Sequence, residues 1–318
     1  NYLIIFVAAF GLYANTIPHD FAWDDKIVIE KNPRVQKGIS GIPDLFTKYN
    51  SDFQYDKYGY RPITLSSFAI DYSISGGNPN FSHCMNAFYF AVLAVLIFVF
   101  LVQLFPSYPK AIPLLITFLF VAHPLHVEAV ANIKSRDEIF GLLFSIISLI
   151  GFLKFLSTKK WIHLITLVAF YLLAYLSKEN SITLLGIYPL LFIVQRKLFV
   201  KKNVLVYGIT AIVLFCISFY FYKYTESSTA GIQESAGMGT FSESGILGNS
   251  FLMVGSWSQK IANAFQIMLL YLKNFLVPYP LVYYYGYNVV PVTSWSSPLV
   301  WISFLIHAGI IALGIKTI

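Results

Sequence analysis

Runs of lipid-soluble residues about twenty long recur along this chain, and no other feature restricts its possible folds so strongly. Residues 81–105, 139–155 and 204–222 are examples. A helix needs about 20 largely apolar residues to cross a bilayer core, so segments like these read as membrane spans. Composition agrees: 57% of residues are apolar and 12% charged, against about 25% charged in soluble domains. The expectation is an all-α polytopic membrane protein, one domain over 1–318.

Spans are predicted at 2–17, 81–105, 111–122, 139–155, 161–176, 181–194 and 204–222, with a last one from Pro298. The stretch 258–276 is ambiguous, because Lys260, Asn263, Gln266, Lys273 and Asn274 make it polar for a span. The net charge of +7 does not point to nucleic acid. Its cations cluster in short loops, Lys154, Lys159 and Lys160 in one and Arg196, Lys197, Lys201 and Lys202 in another, as cytoplasmic loops do. Threading the spans on that basis puts 18–80, 123–138, 177–180 and 223–257 on the opposite, non-cytoplasmic side. Every carboxylate falls there, eight of the fifteen within 18–80. Residues 41–49 and 63–74 of that first loop read as short amphipathic helices lying on the membrane surface. Residues 223–257 form a second large, Ser/Gly-rich loop.

Cys84 and Cys216 are far apart in sequence and suggest neither a disulfide nor a metal framework. The chain starts at Asn1 and stops at Ile318 within an apolar run, which predicts further residues at one or both ends.

Four polar segments on one membrane face suggest a site. Asp24 and Asp25 follow the first span directly, at a depth where a general base meets both an aqueous hydroxyl and a lipid-borne donor; a solvated loop start is the alternative. His123, His126 and Glu128 do not have the spacing of a His-Glu-x-x-His zinc site and read as cavity-shaping groups. Lys134 and Arg136 are candidate phosphate binders or partners of Asp137 and Glu138. Arg61 and Lys178, single cations among acids, carry the same two readings. Tyr285, in an aromatic run, either stacks on a sugar or belongs to the interfacial belt.

The segments also follow a joint pattern: Trp23-Asp24-Asp25 with Asn32-Pro33, Tyr60-Arg61-Pro62 leading to Asp71-Tyr72, and Gly77-Asn78-Pro79 with His83 and Asn86. His123-Pro-Leu-His126-Val-Glu128, Ser135-Arg136-Asp137 and Lys178-Glu179-Asn180 continue it. In order and spacing this resembles the membrane domain of the transmembrane protein O-mannosyltransferases that carry tetratricopeptide repeats, and their bacterial relatives, within the GT-C superfamily. The resemblance covers nearly the whole chain to about Ser296; the family's helical repeats are not among residues 1–318, which means either a truncated chain or a short relative that recognises its acceptor differently.

It implies a GT-C-type helical bundle whose large first non-cytoplasmic loop carries the catalytic acid, Asp24, with Asp25 as neighbour or alternative. The implied reaction transfers a sugar from a polyprenyl-phosphate donor to a protein Ser or Thr hydroxyl with inversion. Arg61, Arg136, Lys178 and Lys134 would take charge on the departing phosphate, and His123, His126, Glu128, Tyr60 and Tyr285 would line the cavity. Asp24-Asp25 departs from the Asp-x-Asp of metal-dependent members, so no metal or other cofactor is expected. A lipid or glycan acceptor, a non-catalytic membrane subunit of a larger assembly and a transporter are the alternatives. Lysine outnumbers arginine 18 to 4, as in A/T-rich genomes. That favours a bacterial inner membrane with a periplasmic active face over the endoplasmic reticulum with a luminal one.

Overall fold

The computed structural model describes residues 1–48, 59–194, 201–235, 256–282, 285 and 289–317. Among these there is no β-strand, and the protein is an all-α membrane protein. Among the described residues, four helices are long and apolar enough to cross a bilayer, at Pro79–Leu104, Ile133–Thr158, Leu205–Thr225 and Pro298–Lys316, and shorter apolar helices lie at Tyr2–Thr16, Ala111–Val121 and Trp161–Ser177. The chain divides into two compact units, Asn1–Thr229 and Ala230–Ile318.

In the first unit, α1 (Tyr2–Tyr13) leads into the polar segment, which is not an open loop. Short helices fold it: a π turn at Lys26–Glu30, α2 (Pro33–Gln36), a 3-10 turn at Gly38–Gly41, α3 (Ile42–Thr47) and α4 (Pro62–Ser75). Asn32 caps α2 by accepting from the Arg34 and Val35 amides, and Pro33 occupies its first position, a favoured start. The helices expected at 41–49 and 63–74 are present as α3 and α4. They share a small core of Val28, Ile29, Val35, Leu45, Phe68, Ala69 and Ile133.

Next come α5 (Pro79–Leu104), α6 (Ala111–Val121), α7 (His126–Ala131), α8 (Arg136–Thr158), α9 (Trp161–Ser177), α10 (Leu184–Val194) and α11 (Lys201–Ser235). The central element is α8, with 72% of its span buried within the protein against 11% for α11. Small residues let α9 approach it closely. A Cβ at Gly151 would stand 3.0 Å from the Leu167 amide nitrogen, and one at Gly141 would stand 2.9 Å from Lys178 Cβ. Between them Ser148 Oγ donates to Leu167 O at 2.7 Å. The sequence places a loop after Tyr222, but α11 continues to Ser235, with no proline to stop it. Residues 236–255 of that expected loop lie outside the described residues.

The second unit contains α12 (Trp257–Leu276) and α13 (Pro298–Thr317).

Candidate active site

The first polar segment, residues 123–138 and residues 177–180 meet at one end of α5, α8 and α9. Asp25 ties two of them together. Its Oδ1 accepts from the Lys134 amide at 2.7 Å and its Oδ2 from the Ala22 amide at 3.1 Å. The residue is 1% exposed. Burial pushes its carboxyl above the usual range, and the two backbone donors oppose that shift. Asp24 is only half-buried, and its carbonyl starts the next turn by accepting from the Ile27 and Val28 amides. Just before them Trp23 has φ of 43° and is largely exposed. A bulky side chain seldom adopts the left-handed region, so the bend that presents this acidic pair holds local strain.

A charged cluster sits beside the pair. Arg61 bonds Asp137 through Nη1 and Glu179 through Nη2, the latter at 3.0 Å. Lys178 Nζ reaches Asp137 at 3.2 Å and Glu138 at 2.8 Å. Burial works against the Arg61 charge, but Asp137 and Glu179 outweigh it and hold its pKa above the ordinary value. The Glu179 carboxyl is likewise held low, the Arg61 hydrogen bond overcoming its desolvation. Asp137 and Glu138 stand in the first turn of α8, where the helix dipole favours negative charge. Arg61, Lys134 and Asp137, with Val28, Thr64 and Phe68, line a cavity of about 20 Å³, room for about one water.

Arg136 is not part of this cluster. It is fully buried, with Nη2 2.7 Å from Asp71 Oδ2. Its Nε donates to Asn86 Oδ1 at 2.7 Å, Nη1 to Ser67 Oγ at 3.1 Å and Nη2 to Ser82 O at 3.0 Å. The Phe68 ring lies 4.4 Å below the guanidinium. With its donors engaged and no surface exposed, Arg136 holds α4, α5 and α8 together instead of facing a phosphate.

The expected cavity residues do not gather at one place. His123 lines a separate cavity of about 240 Å³ with Tyr13, Asn15, Thr16 and Val127. His126 packs 4.2 Å from the Phe120 ring, and burial pulls its pKa down to about 4. Glu128 is exposed. Tyr60 donates to Phe46 O at 3.0 Å and stacks on Phe221; burial pushes its hydroxyl up to about 12, so it anchors the loop. Tyr285 belongs to the second unit, where its hydroxyl accepts from Asn274 Nδ2 at 3.2 Å. Among the described residues, no three of His, Cys, Asp and Glu are gathered to hold a metal ion.

Sequence reasoning missed Asp137 as the hub of the charged cluster, since both of its cations are distant in the chain. It also missed the setting of His83, which is 2% exposed and packs edge-on against His19 with ring centroids 5.9 Å apart. A histidine in the second turn of a long apolar helix was the available signal.

No family model matches the chain, and no solved structure does. Curated proteins do match. Protein O-mannosyl-transferase TMTC3 of Mus musculus is 31% identical over 198 residues, covering 58% of this chain and 20% of its own length. Protein O-mannosyl-transferase Tmtc1 of Drosophila melanogaster is 29% identical over 184 residues, 56% of this chain and 21% of its own. Protein O-mannosyl-transferase TMTC4 of Homo sapiens is 29% identical over 212 residues, 58% and 28%. The chain thus spans between a fifth and three tenths of the length of these relatives, and the resemblance drawn from its motifs is borne out.

Proposed function

We propose that this chain is the membrane domain of a glycosyltransferase that moves a sugar, mannose or a similar hexose, from a polyprenyl-phosphate donor to a protein Ser or Thr hydroxyl. The observation that carries this reading is the hydrogen bond from the Lys134 amide to Asp25. It fixes an acidic pair beside a cluster in which Arg61 and Lys178 share Asp137. A base next to concentrated cations is what displacement at a sugar phosphate requires.

In this reading Asp24 takes the proton of the acceptor hydroxyl as its oxygen bonds to the anomeric carbon. The bond from that carbon to the phosphate oxygen breaks with inversion, and the lipid phosphate leaves with the electron pair. Arg61, Lys178 and Lys134 take up its charge; Arg61 and Lys178 do so by exchanging a carboxylate oxygen for a phosphate oxygen. Asp25 positions Asp24 and Lys134, and Arg136 supports the scaffold. The relatives' printed names support the transfer and its protein acceptor. The lysine-rich composition supports a bacterial inner membrane with the active face towards the periplasm; the endoplasmic reticulum is the alternative.

The test is turnover of a polyprenyl-phosphate mannose by the purified full chain. Asp24→Asn is expected to lower the rate about 10²- to 10⁴-fold, the range of a general base, without altering thermal stability. Asp25→Ala is expected to lower both rate and stability, the latter by about 1–3 kcal/mol, because two partly buried backbone amides lose their acceptor. Normal transfer by both variants would overturn the assignment.

A further inference from the structure

The helix α12 is built the wrong way round for water. Trp257, Ile261, Ala264, Met268, Tyr271 and Phe275, spaced four and three apart, form one exposed stripe, while the buried positions include Asn263 and Asn274. The polar face is covered by the chain that follows it. Lys273 Nζ donates to Tyr279 O and Asn274 to the Tyr285 hydroxyl. Asn263 clamps both backbone groups of Thr293, accepting from its amide at 2.9 Å and donating to its carbonyl at 3.1 Å. Trp295 Nε1 donates to Ser258 O at 3.1 Å. The described residues of 277–297 therefore go from the C-terminal end of α12 back to its N-terminal end. At 1.5 Å per residue, the distance from Lys273 to Ser258 is about 22 Å.

That return path decides how α12 meets the bilayer. None of the described residues in 277–297 is helical. If α12 crossed the membrane, this irregular chain would have to cross back beside it, with Tyr279 80% and Val289 54% exposed. Irregular backbone exposed to lipid is not tolerated in the hydrocarbon core.

We infer that α12 is an in-plane helix: its exposed apolar stripe rests in the lipid at the membrane interface, and the return segment lies over its polar face. The next helix, α13, starts just after Trp295 and likewise exposes Leu299, Ile302 and Leu305. Charge agrees, because 256–297 contains Lys260 and Lys273 and no acid, a balance that suits anionic headgroups. The inference is independent of the transferase reading.

The test uses the full chain in sealed vesicles, with C84S/C216S removing both native thiols. Single cysteines at Ser258→Cys and Tyr279→Cys, just inside the start of α12 and just beyond its end, are expected to react with a membrane-impermeant maleimide from the same side. Reaction from opposite sides would overturn the in-plane assignment. A fluorophore on Met268→Cys supplies a second readout. Quenching strongest with lipids brominated near the headgroup is expected; quenching strongest at the bilayer centre would overturn it.

Discussion

Asp24 and Asp25 are neighbours in sequence with different surroundings: one half-open, the other sealed and accepting two amides. Nothing in the pair itself reveals that division, because it depends on Lys134, more than a hundred residues on. The sequence pointed to the pair, and only the fold separates a group that can meet an acceptor from one that orders the backbone. His126 gives the corresponding lesson for titration. Its pKa lies at about 4 because it is buried against Phe120 and Phe90, whereas an unfolded histidine titrates near 6.5. A lowered histidine pKa means that the unfolded chain binds the proton first. Its contribution is therefore intact above about pH 6.5 and is lost as pH falls towards 4. Thermal melts at pH 7 and 4.5 should show the wild type losing about 1–3 kcal/mol relative to His126→Phe over that interval, allowing for partial exposure.

At the scale of elements, hydropathy located nearly every apolar helix to within a few residues. It failed where a helix end is polar. The reading begins the fourth span at Ile139, yet α8 begins at Arg136, because Asp71, Asn86, Ser67 and Ser82 satisfy the arginine inside the protein. A guanidinium beside two carboxylates in sequence looks like a surface ion pair or a phosphate ligand. Its true partner is in α4, with no local signal. Removing one half of such a buried pair strands the other, at about 3–5 kcal/mol. Arg136→Met should therefore cost that much in denaturant melts, while Arg136→Met with Asp71→Leu should recover most of it. The resulting double-mutant cycle should give a coupling above about 1.5 kcal/mol. Additive losses would show that the two side chains stabilise the helices separately.

For the whole molecule, the sequence predicts sidedness. Short basic turns and carboxylate-rich segments alternate along the chain, and that alternation comes from composition alone. Cysteines placed at the exposed Lys31 and Asn180 should therefore react with an impermeant reagent from one side of a sealed vesicle. Those at Tyr108 and Ser157 should react from the other; a mixed pattern would invalidate the threading. Tertiary convergence was only partly legible: His123, His126 and Tyr60 were expected to line one cavity and instead occupy different surroundings, because periodicity reports depth and not position around a bundle. The glycines of α8 carry one further consequence. Gly141 meets the stem of Lys178 where a methyl has no room, and Lys178 is one of two cations on Asp137. A substitution that looks silent by hydropathy can thus detune the charge layer, so the apolar sequence of α8 sets the position of the polar residues beside it.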